Sequence, residues 1–407
     1  MSALWHGFAD MGAVERDGAF VIARGEGAYV YDEAGTRYLD ATAGLWFANV
    51  GHGRAEIADA VAGQLRTIAH YSNFGDLAEP ATRELAERLA TIAPVPGSKI
   101  FFTSGGSDAI DTAAKLARRY WNELGRPEKT IVVGRERAYH GMHVAGTALA
   151  GLPLNRAGYG ELMPDARIIA WDDATALLAL VDEVGAERIA AFFCEPIIGA
   201  GGVYLPPEGY LSEVRRICRE HDILFVADEV VTGFGRIGGS WFASTRFDLR
   251  PDIMTTAKGL TSGYLPMGAM FAAPHVAEPF FRGGVWWRHG YTYGGHAAAA
   301  VAGLVNLDIV ERENLLAEAA RLETTLDEKL APLAAHPRVA EVRSGLGAVA
   351  AVQLAEPSEA LSFVKELRAQ GVSSRAAGQG AIQVSPAFVM TDAQVDELVA
   401  AFTRALG

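Results

Sequence analysis

The sequence has 407 residues, half of them hydrophobic, and its 36 Lys and Arg residues against 49 Asp and Glu residues give a formal net charge of −13. At ~150 residues per domain, this length predicts about two or three domains. A chain of this size buries roughly three quarters of the surface that its unfolded form exposes, so it needs neither disulfides nor structural metals. The acidic balance, without a run of Lys and Arg, argues against a nucleic-acid-binding protein.

The sequence also predicts a cytoplasmic protein. Its two cysteines, Cys194 and Cys218, form neither a disulfide framework nor a zinc cluster, which favours a reducing compartment. The amino terminus lacks the basic stretch and the apolar core of a signal peptide. The longest apolar stretch, 296–310, carries Asn306 and Asp308 and falls short of the ~20 apolar residues that cross a bilayer, so we expect no membrane span.

Three segments with different patterns follow one another along the chain. The first 40 or so residues contain short strand-like pieces at 20–23 and 28–31. From about residue 100 to 275, apolar runs alternate with amphipathic segments such as 108–124, which is typical of strand-helix units. The strands predicted there are 99–103, 130–133, 189–194, 223–227, 253–256 and 269–273. After Gly295 a long helical pattern extends towards Ala331; the later predicted elements are strands at 347–354 and 381–385 and a helix at 391–406.

These patterns predict an α/β fold, with a mainly parallel central sheet beside a smaller α+β region. The central strands are too apolar to be half exposed, as expected of strands that helices cover on both faces. Periodicity alone does not show whether both ends of the chain meet in the smaller region.

A glycine-rich turn follows the first central strand and opens the next helix. In open α/β sheets, ligands bind outside the carboxyl ends of the strands. The backbone N–H groups of Gly106 and Ser107, at the positive end of the helix dipole, are suited to a phosphate. Ser107 is equally suited to be a plain N-cap, and this turn alone does not decide between the two interpretations.

Three further side chains follow apolar runs at the same predicted edge: Tyr139, Asp228 and Lys258. A carboxylate that ends an apolar strand needs a cationic or hydrogen-bonding partner, which a protonated ring nitrogen or a structural arginine would provide for Asp228. A partly desolvated Lys258 would be a nucleophilic amine, and the alternative is a solvated lysine just beyond the strand. Taken alone, each residue favours its structural interpretation.

The combination of the four features favours one cofactor. Pyridoxal phosphate needs a lysine for its aldehyde, a carboxylate for its pyridine nitrogen, donors for its phosphate and a side chain that stacks on its ring. All four stand at predicted strand ends, and we can name no competing cofactor that uses this set.

Other motifs fail on context. The segment GFGRIG at 233–238 has the spacing of a dinucleotide-binding turn, but no helical pattern begins inside it and no acidic strand end follows ~20 residues later. The segment GLGAVA at 345–350 precedes its strand instead of following it. The histidine pairs lack the spacing of a helical zinc site, so no metal site is predicted.

At this point the sequence resembles the class III aminotransferases among the fold-type I pyridoxal-phosphate enzymes, and within them the amine:pyruvate or ω-amino acid:pyruvate group. Seven blocks carry the resemblance, in the family's order: FFTSGGSDAID, AYHGMH, CEPIIGAGGVYLPPEGYL, VADEVVTGFGR, TTAKGL, HGYTYGGH and RAAGQGAIQVSP. Ala200 stands where the ornithine and 4-aminobutyrate enzymes carry a glutamate, which disfavours those two relatives.

The resemblance implies a role for each matching residue. Lys258 is similar to the Schiff-base lysine, Asp228 to the partner of the pyridinium nitrogen, and Tyr139 and Val230 to the residues on the two faces of the ring. Gly106 and Ser107 match the phosphate loop.

The resemblance also implies a homodimer, because Thr292 matches a threonine that reaches the phosphate bound by the partner subunit. Two such dimers could pair into a tetramer. Arg375 matches a mobile arginine that binds a substrate carboxylate, with a surface arginine as the alternative, and Trp46 matches an aromatic of the substrate pocket, with core packing as the alternative. The implied domains are a large one, 51–309, and a small one built from 1–50 and 310–407.

The implied activity is a ping-pong transamination from an amine or ω-amino acid donor to a keto-acid acceptor such as pyruvate, with Lys258 as the catalytic base. One alternative is a decarboxylase or an aminomutase of the same superfamily. A more remote alternative is a dinucleotide-dependent oxidoreductase built on 233–238.

Overall fold

The computed structural model describes residues 3–407 and contains three sheets. In chain order, the strands are β1 Ile22–Glu26, β2 Tyr29–Asp32, β3 Arg37–Asp40, β4 Lys99–Thr103, β5 Ile131–Arg135, β6 Ala166–Ile169, β7 Ile189–Cys194, β8 Leu224–Asp228, β9 Ile253–Thr256, β10 Gly268–Ala272, β11 Val339–Arg343, β12 Ala350–Leu354, β13 Val372–Ser373, β14 Ala376–Ala377 and β15 Ala381–Val384.

Helices cover the sheets and connect their strands. In chain order, they are α1 Met11–Asp17, α2 Ala43–Trp46, α3 Ala55–Thr67, α4 Pro80–Ile92, α5 Gly106–Glu123, α6 Val144–Leu149, α7 Pro153–Arg156, α8 Thr175–Val184, α9 Tyr210–Glu220, α10 Ala243–Arg246, α11 Pro274–Phe281, α12 Ala297–Arg312, α13 Leu315–Leu330, α14 Ala360–Ala369 and α15 Asp392–Leu406.

The central sheet has seven strands in the order β4-β10-β9-β8-β7-β5-β6. The pairs from β9 through β8, β7 and β5 to β6 are parallel, and β10 runs antiparallel to both β4 and β9. Every residue of β7 and β8 is buried, as their apolar sequences predict. The six parallel strands therefore end at one edge of the sheet, which confirms the predicted α/β class.

One strand of this sheet escaped sequence prediction. Strand β6 has only four residues, pairs only with β5 at the edge of the sheet, and is not fully buried. A short edge strand carries neither the continuous apolar run of a central strand nor enough residues to show alternation.

One of the two smaller sheets combines strands from both ends of the chain, whereas the other, β11-β12-β15-β14, comes from the carboxyl-terminal part alone. β13, near the carboxyl terminus, pairs in parallel with β3, near the amino terminus, so one sheet has the order β1-β2-β3-β13. One buried apolar cluster contains Leu39 from the first part of the chain together with Phe363 and Phe402 from the last. The exact division into 51–309 and the two chain ends stays a prediction.

The long helix predicted beyond Gly295 is wrong in one respect, because the structure has two helices, α12 and α13. Asn314 between them lies in the left-handed region, with φ of 53°. Asparagine adopts this conformation more readily than most residues other than glycine. Apolar periodicity continues across the break and so does not reveal it. In residues 3–407, no helix combines the length and the low polarity that a membrane crossing needs.

Candidate active site

A buried cavity of about 110 Å³ lies at the carboxyl edge of the central sheet. Six of the residues singled out in the sequence line it: Gly106, Ser107, Tyr139, Asp228, Val230 and Lys258. They lie at or just after the ends of four different strands, β4, β5, β8 and β9, so the central sheet is what brings them together.

Asp228 is the last residue of β8, and its side chain is almost fully buried, at 4% exposure. Its Oδ2 atom lies 2.7 Å from the Nδ1 atom of His140. Its Oδ1 atom accepts hydrogen bonds from the Val230 N–H at 3.1 Å and from the Thr255 hydroxyl at 3.3 Å. These partners hold the carboxylate in one orientation at the cavity wall.

Lys258 follows β9 and has a positive φ of 42°, which is an uncommon conformation for a side chain of this size. Burial lowers the pKa of Lys258, while the negative charges of Asp228 and Glu195 raise it and the positive charge of Arg375 lowers it further. Burial outweighs the two carboxylates. The net effect increases the fraction of neutral, nucleophilic amine at a given pH.

The helix start at Gly106 provides a cradle for an anion. The first N–H groups of a helix have no partner inside the helix, and the dipole of α5 favours a negative charge there. A Cβ atom at Gly106 would lie 2.9 Å from Val230 Cγ1, so a side chain here would fill the space in front of these donors. On the other side of the cradle, the Ser107 hydroxyl accepts a hydrogen bond from the Met142 N–H at 3.1 Å.

Sequence reasoning missed the roles of Glu195 and His140 in this cavity. Glu195 follows β7, lies within the cavity lining, and accepts hydrogen bonds from the N–H groups of Tyr139 at 2.8 Å and Gly199 at 2.9 Å. Burial raises the pKa of this carboxyl group. The available signal was the position of Glu195 directly after a fully apolar strand, which is the same signal that singled out Asp228.

Arg375, Trp46 and Thr292 do not line this cavity in the described chain. The Arg375 guanidinium is close enough to affect the pKa values of both Tyr139 and Lys258, and burial lowers its own pKa. Within residues 3–407 no carboxylate forms an ion pair with it. Trp46 is 2% exposed and packs in a buried apolar cluster with Ile197 and Val203.

Thr292 is exposed in the single chain. Its backbone carbonyl accepts a hydrogen bond from His70, whereas no partner for its hydroxyl is found in residues 3–407. The role of this hydroxyl in another subunit stays a prediction.

The glycine-rich segment 233–238 forms turns, as the sequence context predicts. Gly235 has a φ of 93°, and a Cβ atom there would lie 2.9 Å from both Leu316 and Phe388. The segment is thus packed against the carboxyl-terminal part of the chain, and no helix begins within it. The segment therefore lacks the helix start that a dinucleotide-binding turn places against the pyrophosphate.

Comparisons with known proteins agree with the geometry. The model of the class-III aminotransferase family matches residues 11–406. A putrescine–pyruvate aminotransferase of Pseudomonas aeruginosa is 39% identical, over 96% of this chain and 91% of the relative. A β-alanine–pyruvate aminotransferase of the same organism is 35% identical, over 100% of this chain and 96% of the relative. The structure of a PLP-bound amine transaminase from an uncultivated Pseudomonas species matches with a TM-score of 0.93 and 35% identity, over 100% of this chain and 98% of the other.

The fold and the cavity define a pyridoxal-phosphate-dependent transferase. More specifically, the chain belongs to the class-III aminotransferases, of the ω-amino acid:pyruvate type. The predictions of family, fold, cofactor and transamination are confirmed, and the oxidoreductase, decarboxylase and aminomutase alternatives are not needed.

The residues of the cavity fit the cofactor of this family. Glycine at 106 leaves backbone N–H groups open towards the cavity, where a phosphate would be held. The Nζ atom of Lys258 forms no hydrogen bond in the described chain and is free for an aldehyde, and Asp228 presents an oriented carboxylate for a ring nitrogen. Tyr139 and Val230 stand at the same cavity for the two faces of a ring.

Proposed function

We propose that this enzyme transfers the amino group of an amine or ω-amino acid to a keto acid such as pyruvate, and that Lys258 carries the cofactor and moves the proton. The observation that carries the proposal is the placement of Lys258 and Asp228 in one buried cavity with the glycine cradle. When bound, pyridoxal phosphate supplies the aldehyde that takes up the amino group and a ring that withdraws electrons from the reacting carbon.

Lys258 acts as the general base. Its Nζ atom removes the proton from the donor carbon that bears the amino group, and it returns a proton to the equivalent carbon of the acceptor in the second half of the reaction. The lowered pKa of Lys258 suits this task, because a neutral amine is needed to accept the proton. The burial of the site limits the exchange of that proton with water.

Asp228 holds a proton on the ring nitrogen in this proposal. A carboxylate in a buried site favours the protonated form of an adjacent nitrogen. His140 orients the carboxylate through Oδ2, and the Val230 N–H orients it through Oδ1. Glu195 fixes the backbone of Tyr139 and thus the position of the stacking ring.

Arg375 is proposed to bind the carboxylate of the keto acid. Its unpaired, largely buried guanidinium is suited to a bidentate contact with a carboxylate. The hairpin that carries Arg375 is attached to the loop that follows β7 of the central sheet, because the Gly378 N–H donates a hydrogen bond to the Ala200 carbonyl at 3.0 Å. We expect Arg375→Leu to reduce kcat/KM for pyruvate far more than kcat/KM for an amine donor without a carboxylate.

The enzyme is proposed to be a cytoplasmic homodimer with two shared active sites, able to pair into a tetramer, in which Thr292 contacts the phosphate bound by the partner. The segment around Thr292 exposes Trp286 and Tyr293 at 73% and 65% and borders a groove of about 750 Å³ that also exposes Phe74. Exposed apolar surface of this extent is typical of a protein interface. Each subunit is proposed to consist of a large domain, 51–309, and a small domain from 1–50 and 310–407.

A lysine substitution tests the proposal directly. We expect Lys258→Ala to abolish multiple-turnover formation of alanine from pyruvate, whereas Lys365→Ala, a change at an exposed lysine paired with Asp17, leaves it intact. A donor panel of putrescine, β-alanine, 4-aminobutyrate, 1-phenylethylamine and taurine, with analysis of both products, identifies the donor class. Full turnover by Lys258→Ala would refute the catalytic role of Lys258. A sedimentation-velocity experiment that shows only monomers would refute the shared active site.

A further inference from the structure

The loop that carries Thr292 is attached to the rest of its own subunit by hydrogen bonds to its carbonyl groups. Asn73 Nδ2 donates to the carbonyls of Gly294 at 3.2 Å and Gly295 at 3.3 Å, and the Thr82 hydroxyl donates to Gly295. The carbonyl of Thr292 itself accepts from His70 Nε2 at 3.0 Å. His70 is thus the side chain that fixes the backbone at Thr292.

His70 is held in turn by Glu79, the residue that precedes α4. The His70 Nδ1 atom lies 2.8 Å from Glu79 Oε2, and the Tyr71 N–H donates to Glu79 Oε1 at 2.8 Å. The side chains of His70 and Glu79 are only 12% and 4% exposed. Water therefore does not easily replace the hydrogen bond between His70 and Glu79 if it is lost.

Both ring nitrogens of His70 face a hydrogen-bonding partner. The Thr292 carbonyl can only accept, so the Nε2 atom is the donor of that bond. The Nδ1 atom lies against the Glu79 carboxyl group, which therefore sets the orientation of the ring. A substitution that removes the imidazole removes both contacts at once.

Two further rings pack around His70. The His296 ring stacks on it at 4.8 Å between centroids, and the Tyr293 ring lies 6.2 Å away. Burial lowers the pKa of His296, and so does the neighbouring His70. In the described residues neither of these rings donates to the Thr292 carbonyl, so His70 is the side chain that holds it.

The opposite side of the same loop is fixed by a second set of hydrogen bonds. Tyr291 donates its hydroxyl hydrogen to the Asp108 carbonyl at 3.1 Å, so Thr112 must donate to Tyr291 and accept from His289 Nε2. Lys115 donates to the remaining ring nitrogen, Nδ1, at 2.9 Å. Burial lowers the pKa of His289 to about 4, so this chain of hydrogen bonds is complete with a neutral ring.

We propose that His70 and Glu79 are a positioning pair that sets Thr292 for its contact with the cofactor phosphate in the partner subunit. The inference rests on the role proposed above for Thr292. His70 touches neither substrate nor cofactor and acts through the Thr292 backbone.

The test measures the release of pyridoxal phosphate from the holoenzyme, transferred to cofactor-free buffer, by the loss of visible absorbance of the protein. We expect His70→Phe to release cofactor about tenfold faster than the wild type, because the Thr292 carbonyl loses its hydrogen-bond donor. His70→Gln keeps an N–H donor for the same carbonyl, so its release rate should lie close to that of the wild type.

A double substitution separates positioning from general loss of structure. Thr292→Ala should speed release, and His70→Phe should add nothing in the Thr292→Ala background if it acts through Thr292. His275→Gln, at a 53% exposed histidine paired with Asp252, is the matched control and should behave as the wild type. Sedimentation velocity and thermal unfolding on each variant report whether dimer and fold persist.

The outcomes distinguish a failure of the role proposed for Thr292 from a failure of the positioning role proposed for His70 and Glu79. If Thr292→Ala releases cofactor at the wild-type rate, the proposed role of Thr292 is wrong and the inference falls with it. If Thr292→Ala releases cofactor faster but His70→Phe keeps the wild-type rate, only the positioning role is wrong. Additive effects of the two substitutions would also overturn it.

Discussion

At the scale of single residues, Asp228 offers a test of charge without a change of shape. Asp228→Asn keeps a side chain that can still bond His140 and the Val230 N–H. It removes the negative charge that would keep a ring nitrogen protonated, so we expect kcat to fall by about two to three orders of magnitude.

Cofactor content and thermal stability are the controls for that variant. Both should stay close to the wild type, because the asparagine fills the same space. A kcat within about tenfold of the wild type would show that the cavity keeps the ring electron-poor by other means.

The environment of Lys258 predicts a pH profile for its reaction with the cofactor aldehyde. Only the neutral amine reacts, so the attachment rate of added cofactor to the apoprotein rises with pH and levels off above the pKa of Lys258. Because burial lowers that pKa, the plateau should be reached below the ordinary lysine value of about 10.4. Rapid-mixing absorbance measurements over a range of pH give the midpoint.

Two substitutions should shift this midpoint in opposite directions. Asp228 raises the pKa of Lys258 and Arg375 lowers it. The midpoint should therefore move to lower pH in Asp228→Asn and to higher pH in Arg375→Met. Shifts of the same sign would mean that the charges do not act on Lys258 as the geometry indicates.

At the scale of elements, the turn after Tyr139 supports the phosphate cradle. Gly141 has a φ of 86°, and a Cβ atom there would lie 2.8 Å from Ser107 Cα and 2.4 Å from Ser107 Oγ. We expect Gly141→Ala to destabilise the protein by about 1–3 kcal/mol and to weaken cofactor binding, because the helix start must move. Urea unfolding of the apoprotein and a cofactor titration measure the two effects.

Gly125→Ala is the matched control for that variant. Gly125 also has a positive φ, of 74°, but nothing lies within 4 Å of a Cβ atom there. It should therefore show the backbone strain without the loss of cofactor affinity. Equal cofactor affinity in the two variants would mean that the contact between the turn and the cradle is unimportant.

Elements with continuous apolar sequences were predictable, and those defined by single residues were not. The buried strand β7 was found with its exact residues, because an apolar run of six between polar flanks has few alternatives. The break at Asn314 and the edge strand β6 were missed, since a left-handed residue and a four-residue edge pair leave little trace in periodicity.

The candidate site was predictable where a residue directly follows a buried strand, as Asp228 does. The bond from His140 to Asp228 was not predictable, because it joins residues 88 positions apart and depends on how two loops meet. The position of Arg375 near Tyr139 likewise depends on the packing of one sheet against another. Such relations follow from the assembled fold rather than from local sequence.

At the scale of the whole molecule, one buried arginine joins three distant parts of the chain. Arg236 donates to Asn49 Oδ1 at 2.6 Å, to the Pro386 carbonyl at 2.6 Å and to the Ala348 carbonyl at 3.0 Å. No carboxylate contacts it in the described chain, and burial lowers its pKa to about 9. Its stabilising effect must therefore come from these three hydrogen bonds and from packing on Phe388, whose ring centre is 4.7 Å away.

We expect Arg236→Met to destabilise the apoprotein by about 3–5 kcal/mol, because it leaves three buried acceptors without a donor. Arg236→Lys should recover only part of this loss, since an ammonium group cannot match the spread of a guanidinium. Arg250→Met, which breaks an exposed ion pair with Asp248, should change stability by less than about 1 kcal/mol. Urea unfolding of the three variants measures the differences. A change of less than about 1 kcal/mol in Arg236→Met would show that other contacts hold the chain ends on the central sheet.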